Sequence, residues 1–560
     1  MKGLLSTLDF AVFALYFLIV AGYGLWIYYQ KRKAEQTSTD YFLAEGSLTW
    51  FAIGASLIAS NISAEQFIGM SGAGFKMGLA IASYEWMAAA TLIIVAIFFM
   101  PVYLQNKIYT MPQFLEMRYN GSVALIMAIF WLFLYITINL TSIIYLGALA
   151  VSSISGFPFW TCMIGLAVFA IFITLGGMKV IGYTDIIQVF FLVLGGLATT
   201  YLALNLVAQS MGYSGVGAGF GAMLSQAPEH FTMILPKDNP NFIDLPGLTV
   251  LVGGMWIANF SYWGCNQYIT QRALGADIST ARKGILFAAF LKLLMPVIVV
   301  LPGIAAYVLY QQGVFTTEME VGGKVIVDKA YPTLLNLLPS GLKGLAFAAL
   351  TAAVVASLAG KANSISTIFA LDIYKKHLHK NVSEKQLLGV GKITIVVSLI
   401  AAVLIAPYLG IDKQGGFQLI QEYTGFISPG IFALFLLGMF WRPTTSLAAI
   451  YGAVGSLLFS ILLKVLPSMM DLSGLSDVGL SVANSGGVYE IPFLDRMGIV
   501  FALCILGMVI ISLLQQKINP NVHVGKLIKV DKKWFVVEKD FFFGIILVII
   551  ALVILYAYFW

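Results

Sequence analysis

The chain has 560 residues, 60% of them hydrophobic and 10% charged, with mean hydropathy +0.91 and formal net charge +6. Soluble domains carry about a quarter charged residues, so this composition belongs in a bilayer and argues against a soluble enzyme. The basic residues are scattered between apolar runs, which reads as a topology signal rather than a nucleic-acid surface.

Apolar runs of about 18 residues or more predict an all-α membrane protein with about fourteen transmembrane helices. They fall near 9–29, 48–75, 78–104, 123–152, 157–177, 180–207, 247–270, 279–311, 339–375, 388–409, 415–441, 443–465, 496–515 and 541–559. The first run, Phe10 to Tyr29, lacks a small-residue cleavage pattern and is followed by Lys31-Arg32-Lys33. It reads as an uncleaved span. Basic residues then concentrate in every second loop: Lys107 with Arg118, Lys179, Arg272 to Lys283, Lys375 to Lys385, Arg442, and Lys517 to Lys539. The positive-inside rule therefore predicts both termini outside.

The second run breaks its own pattern. Its middle, Ala59-Ser60-Asn61-Ile62-Ser63-Ala64-Glu65-Gln66, is polar where hydrocarbon is expected. Such residues are costly facing lipid, so the run predicts a helix broken at the midplane or a polar seam between helices. The seventh run has the same character, with Gly253-Gly254, Asn259, Ser261, Gly264, Asn266 and Gln267. Each opens a set of five spans, and the two sets start from opposite membrane faces. This predicts an inverted repeat with a broken first helix in each unit. The expected division is 1–47 first helix and loop, 48–207 first repeat, 208–246 extracytoplasmic loop, 247–441 second repeat and 442–560 three further helices. The loops 208–246 and 466–495 are rich in small and polar residues and predict lids or surface helices. Within the former, the glycine-rich 212–221 stretch has no preceding strand and is no dinucleotide fingerprint.

Ionisable residues within the spans are the candidates for chemistry: Glu65, Glu85, Asp185, Lys292, Lys361 and Glu422. A buried Glu85 and a buried Lys292 need partners, either a polar ligand or each other. Asp185, near a span's cytoplasmic edge, fits a structural, gating or coupling role. Tyr262-Trp263 beside Asn259 offers an aromatic platform with polar neighbours, which suits a sugar ring. Phe417 and Gln421, four apart, share a helical face. The hydroxyl of Ser357, with carbonyls freed at a helix break, suits a small hard cation such as sodium. There is no Walker loop, the four histidines lack zinc spacing, and Cys162, Cys265 and Cys504 lie apart in apolar segments. No ATP-driven pump, zinc site or disulfide framework is expected.

Long stretches carry a resemblance: 56-SLIASNISAEQFIGMSG-72, 80-AIASYEWM-87, 138-INLTS-142, 184-TDIIQVFFLVLGG-196, 256-WIANFSYWGCNQYITQR-272 and 417-FQLIQEYTGFISPG-430. The chain resembles the sodium/solute symporter family over nearly its whole length, in particular the bacterial members that carry galactose or glucose. The resemblance implies the leucine-transporter-type fold of two inverted five-helix units, in a cell (inner) membrane protein. It implies sodium-coupled symport of a neutral hexose by alternating access, with no enzyme activity, no nucleic acid and no obligate protein partner. Another small solute (inositol, an amino sugar, a carboxylate) or a sodium-independent uniporter or sensor remains the alternative. By resemblance, sugar contacts fall on Gln66, Glu85, Asn259, Lys292 and Gln421, with Asn61 and Asn139 as polar neighbours. The inner gate falls on Tyr262, the outer on Met70, Tyr84 and Phe417, and Trp263 is a further gate residue. Sodium falls on the carbonyls of Ala59, Ile62 and Ala353 and the hydroxyl of Ser357, with Asp185 on the ion's exit route. Three positions depart from these relatives. Ala88 stands for a serine near the sugar, Ala356 for a second sodium-ligating hydroxyl, and Lys361 for an apolar side chain. The Lys361 ammonium, one turn beyond Ser357, reads as a cation mimic, a snorkelling side chain or half of a structural pair.

Overall fold

In lipid the backbone must satisfy its own hydrogen bonds, and this chain does so almost entirely as helix. The computed structural model describes residues 5–31, 48–409, 416–484, 486–519 and 528–560. Arg32, Lys33 and Lys526, which contribute to the charge-asymmetry argument, lie outside the described residues. The helices that matter below are α1 Thr7–Lys31, α2 Trp50–Asn61, α3 Ser71–Met77, α4 Ser83–Ile94, α5 Gly121–Ser155, α6 Phe159–Thr174, α7 Gly177–Ser210 and α8 Gly254–Cys265. They continue with α9 Ile278–Gln311, α10 Leu342–Leu378, α11 Glu384–Tyr408, α12 Gly416–Gly425 and α13 Ser428–Phe440. The last three are α14 Ser446–Met469, α15 Phe493–Ile518 and α16 Lys539–Tyr558. Among the described residues, strand is confined to two short antiparallel hairpins, Glu320–Val321 with Lys324–Val325 and Val482–Ala483 with Tyr489–Glu490.

Among the described residues, ten helical stretches are long and apolar enough to cross a membrane, or eleven when α12 and α13, bent by 47°, count as one. The difference from fourteen expected spans has a geometric cause. At 1.5 Å per residue, the 12-residue α2 and α8 are each about 18 Å long, roughly half of a 30 Å hydrocarbon core. α6, with 16 residues, is also short. The expected second and third spans run on as one helical stretch, Glu65–Gln105, after the break behind α2.

Small residues let α9 lie against both halves of the broken helix. A Cβ on Gly54 of α2 would meet the Gly284 carbonyl of α9 at 2.6 Å. A Cβ on Gly303 would stand 2.0 Å from the Ser71 carbonyl of α3. Close backbone approach of this kind is how helices pack where the solvent is lipid. Outside the bundle, the 208–246 loop forms a short helix, Val216–Gln226, and its Met233 and Ile234 N–H groups donate to the Phe559 and Trp560 carbonyls (2.8 and 3.3 Å).

Candidate functional site

The interruption after α2 is built by its own side chains. The Ile62 N–H still reaches the Ile58 carbonyl, and then the chain leaves the helix. Ser63 Oγ accepts from the Glu65 N–H (3.1 Å), and Gln66 Oε1 accepts from the Ser63 N–H (3.1 Å). This is the reciprocal logic of a capping box, restarting a helix inside the bundle. It restarts as a π-helical turn, Glu65–Met70, before α3 begins. The second interruption falls at Asn266, after α8. There the Tyr103 hydroxyl donates to the freed Gly264 carbonyl (2.7 Å), and the Gln267 side chain accepts from the Met111 N–H (2.7 Å). Polar residues that look misplaced in an apolar run thus satisfy backbone groups that no neighbouring turn reaches.

Between the two interruptions lies a cavity of about 80 Å³. One wall is a continuous polar chain. Lys292 Nζ of α9 lies 2.5 Å from a Glu85 carboxylate oxygen of α4 and also donates to Asn61 Oδ1. Asn61 Nδ2 donates to the Tyr262 hydroxyl (2.9 Å), which is itself bonded to the Tyr268 hydroxyl. The Lys292 ammonium sits 5.0 Å from the centroid of the Trp263 ring. Tyr84 and Phe417 meet edge to face, 5.0 Å apart, at another side of the cavity. The cavity is also lined by a second buried ion pair, Lys361 of α10 with Glu65, 3.5 Å apart. Ser142 of α5 donates to the other Glu65 oxygen (2.7 Å). The charged side chains lining the cavity are therefore two acids and two bases, with no net charge.

One turn before Lys361, the Ser357 hydroxyl lies within 3.1, 3.1 and 3.3 Å of the Ala59, Ser60 and Ile62 carbonyl oxygens. The geometry gathers oxygen atoms from the end of α2 and one hydroxyl from α10, the donor set a small hard cation prefers. Ala353 and Ala356 are buried on the same helix, and the Ala356 methyl adds no oxygen. Asp185 of α7 is fully enclosed; it accepts from Ser56 Oγ of α2 (2.5 Å) and faces Arg272 at 4.0 Å. Arg272, beyond the second interruption, also donates to the Ser56 carbonyl (3.1 Å).

Of the residues expected at the site, Asn61, Gln66, Glu85, Asn139, Asn259, Lys292, Gln421, Tyr262, Trp263, Tyr84 and Phe417 all border this cavity. Met70 does not; it lies fully buried at the end of the π-helical turn Glu65–Met70, packed away from the cavity. Glu422 lies away from the cavity, bonded to Lys464 (2.7 Å) and Arg496. Trp131, Phe493 and Met497 also border the cavity. As ordinary apolar residues of apolar spans they carry no signal that sequence reasoning reads. Asn266 and Lys361 were visible as polar residues in such spans.

An outer space of about 1060 Å³ lies beyond α12, whose Phe417 borders the inner cavity and whose Gln418 borders the outer one. Asp328, in the loop between α9 and α10, borders it too and accepts from the Gly416 N–H at the start of α12 (2.9 Å). Burial pushes the Asp328 carboxyl up to about 7, against the opposing pull of that hydrogen bond.

Paired helix interruptions around a cavity bordered by buried polar and charged side chains, in a bundle of membrane-spanning length, define a secondary transporter. Comparison with known proteins makes this specific. The sodium:solute symporter family pattern matches residues 41–455. The chain is 47% identical over 564 aligned positions to a sodium/glucose cotransporter of Vibrio parahaemolyticus, covering 99% of both chains. It is 33% identical over 486 positions to a human sodium/myo-inositol cotransporter 2, covering 82% of this chain and 70% of that one. Its fold is similar to that of a Na+-coupled sialic acid symporter solved in an outward-open, substrate-bound state. That match has TM-score 0.74 and 22% identity, and covers 91% of this chain and 98% of the other. The protein belongs to the sodium:solute symporter family, a family of membrane transporters rather than enzymes.

Proposed function

We propose that the protein moves a neutral hexose, galactose or glucose, into the cell together with sodium by alternating access. The carrying observation is the chain Glu85–Lys292–Asn61–Tyr262 beside Trp263, in a cavity whose charged side chains cancel. Hydroxyls of a sugar donate to and accept from this chain, the indole covers a C–H face, and an ionic cargo would meet no uncompensated charge. Gln66, Asn259, Gln421 and Asn139 supply further polar contacts around the ring. Tyr262 and Trp263 close the inner side; Tyr84 and Phe417 close the outer side, with Met70 supporting them from within the broken helix.

Sodium binds among the Ala59, Ile62 and Ala353 carbonyls and the Ser357 hydroxyl, and leaves past Asp185. Its binding draws the break against α10 and orders the sugar site. Coupling requires that sodium bind one conformation better than the other. Inward sodium also carries charge down the membrane potential, worth about 2.3 kcal/mol per 100 mV. Fourteen crossings, with 48–207 and 247–441 as inverted repeats and both termini extracytoplasmic in the cell membrane, account for the broken helices and the loop charges. Residues 442–560 add three peripheral helices against the lipid.

Inositol is the second reading, supported by the similarity to myo-inositol cotransporters and by Ala88, which borders the cavity with a methyl. Uptake into proteoliposomes with an inward sodium gradient tests both. Labelled galactose or glucose is expected to accumulate above equilibrium, more strongly than inositol. Equilibration without overshoot in sodium rejects symport, and uptake of inositol alone rejects the hexose.

A further inference from the structure

Two contacts fasten α10 to the break behind α2, and they lie one helical turn apart. Ser357 and Lys361 are four residues apart on α10 and so share a face. Ser357 meets the carbonyls of Ala59, Ser60 and Ile62 on one side of the break. Lys361 meets the Glu65 carboxylate on the other side, at 3.5 Å. That carboxylate is fixed from a third helix by Ser142 (2.7 Å), and the Lys361 ammonium rests 5.2 Å from the Tyr268 ring centroid. Tyr268 in turn is hydrogen-bonded to Tyr262 at the cavity wall. The chain therefore carries a cation of its own across the interface that sodium would bridge, and this cation reaches the wall of the central cavity.

We propose that Lys361 is a tethered cation that holds the break of α2 against α10 when sodium is absent, so that the sodium-free protein retains substrate binding. The inference rests on the sodium-coupled sugar reading and deepens it. An effector strengthens substrate binding only by favouring the competent state more than the alternative. Where Lys361 and Glu65 already join the two helices, sodium has less ordering left to supply. The protein remains a symporter, with a smaller ratio between sugar Kd without sodium and sugar Kd with it.

The test measures galactose and glucose binding to purified full-length protein in sodium chloride and in choline chloride. The ratio of the two Kd values is read, because removal of a direct sugar contact weakens binding equally in both salts and cancels. The wild-type protein is expected to bind in choline, and Lys361→Met is expected to raise the ratio about tenfold, chiefly by weakening binding in choline. Glu65→Gln combined with Lys361→Met removes both charges, leaves no unpaired carboxylate, and is expected to raise the ratio similarly even where the single variant folds poorly. An unchanged ratio in the double variant overturns the tether while leaving sodium-coupled sugar transport intact. Absence of saturable sugar binding by the wild-type protein in sodium overturns the sugar reading and the tether with it.

Discussion

Replacing Lys292 by methionine separates a structural ion pair from a binding one. The Lys292 and Glu85 side chains are 1% and 3% exposed, 2.5 Å apart, and Lys292 also serves Asn61. Removing the ammonium leaves a buried carboxylate uncompensated, which costs about 3–5 kcal/mol. The lost donor to Asn61 Oδ1 adds about 1–3 kcal/mol if nothing replaces it. Thermal unfolding of the purified protein, followed by fluorescence-detected size exclusion, should therefore show Lys292→Met melting several degrees below wild type. Adding Glu85→Gln removes the orphaned charge and keeps an amide beside Asn61, so the double variant should regain most of the loss. Sodium-driven uptake should stay abolished in both, because hydrogen bonds between sugar hydroxyls and charged groups, about 1.5–3 kcal/mol each, are gone. The reasoning is refuted if Lys292→Met melts like wild type, if the double variant is no more stable than the single, or if the restored double variant transports normally.

Other expectations rest on separate contacts. Ser357→Ala removes a side-chain oxygen facing the Ala59 and Ile62 carbonyls, and sodium half-saturation of uptake should rise about tenfold, the equivalent of 1.4 kcal/mol. Ala356→Ser should shift it the other way; an unchanged sodium titration in both variants argues against this cradle. Gly303→Ala places a methyl 2.0 Å from the Ser71 carbonyl, so α9 and α3 must part, and melting should show about 1–3 kcal/mol of destabilisation or more. Asp328 has its carboxyl raised from 3.8 to about 7, so between those values the folded protein holds a proton that the unfolded chain has released. Its contribution is therefore destabilising above about pH 7 and is relieved on acidification, by on the order of 4 kcal/mol. Asp328→Asn should melt at a temperature less dependent on pH between 5 and 8 than wild type does; parallel profiles would refute the assignment.

The break behind α2 was legible from Ala59 to Gln66 because a polar run cannot face hydrocarbon. The second interruption, at Gly264 to Gln267, was legible for the same reason. The length of each half was not, since the sequence shows a continuous apolar run while helix continuity depends on which backbone groups find partners elsewhere. The Tyr103 hydroxyl provides such a partner, for the Gly264 carbonyl, from a distant segment.

Composition and apolar run length by themselves determined a helical membrane protein, and misplaced polar residues determined where its helices break. These are local consequences of placing a backbone and its side chains in lipid. Only the tertiary structure decided the pairings. Glu85 joins Lys292 across 207 positions of sequence, and Lys361 takes Glu65. A buried acid announces that it needs a partner, but distance in space selects which one, and that distance exists only after the helices have packed.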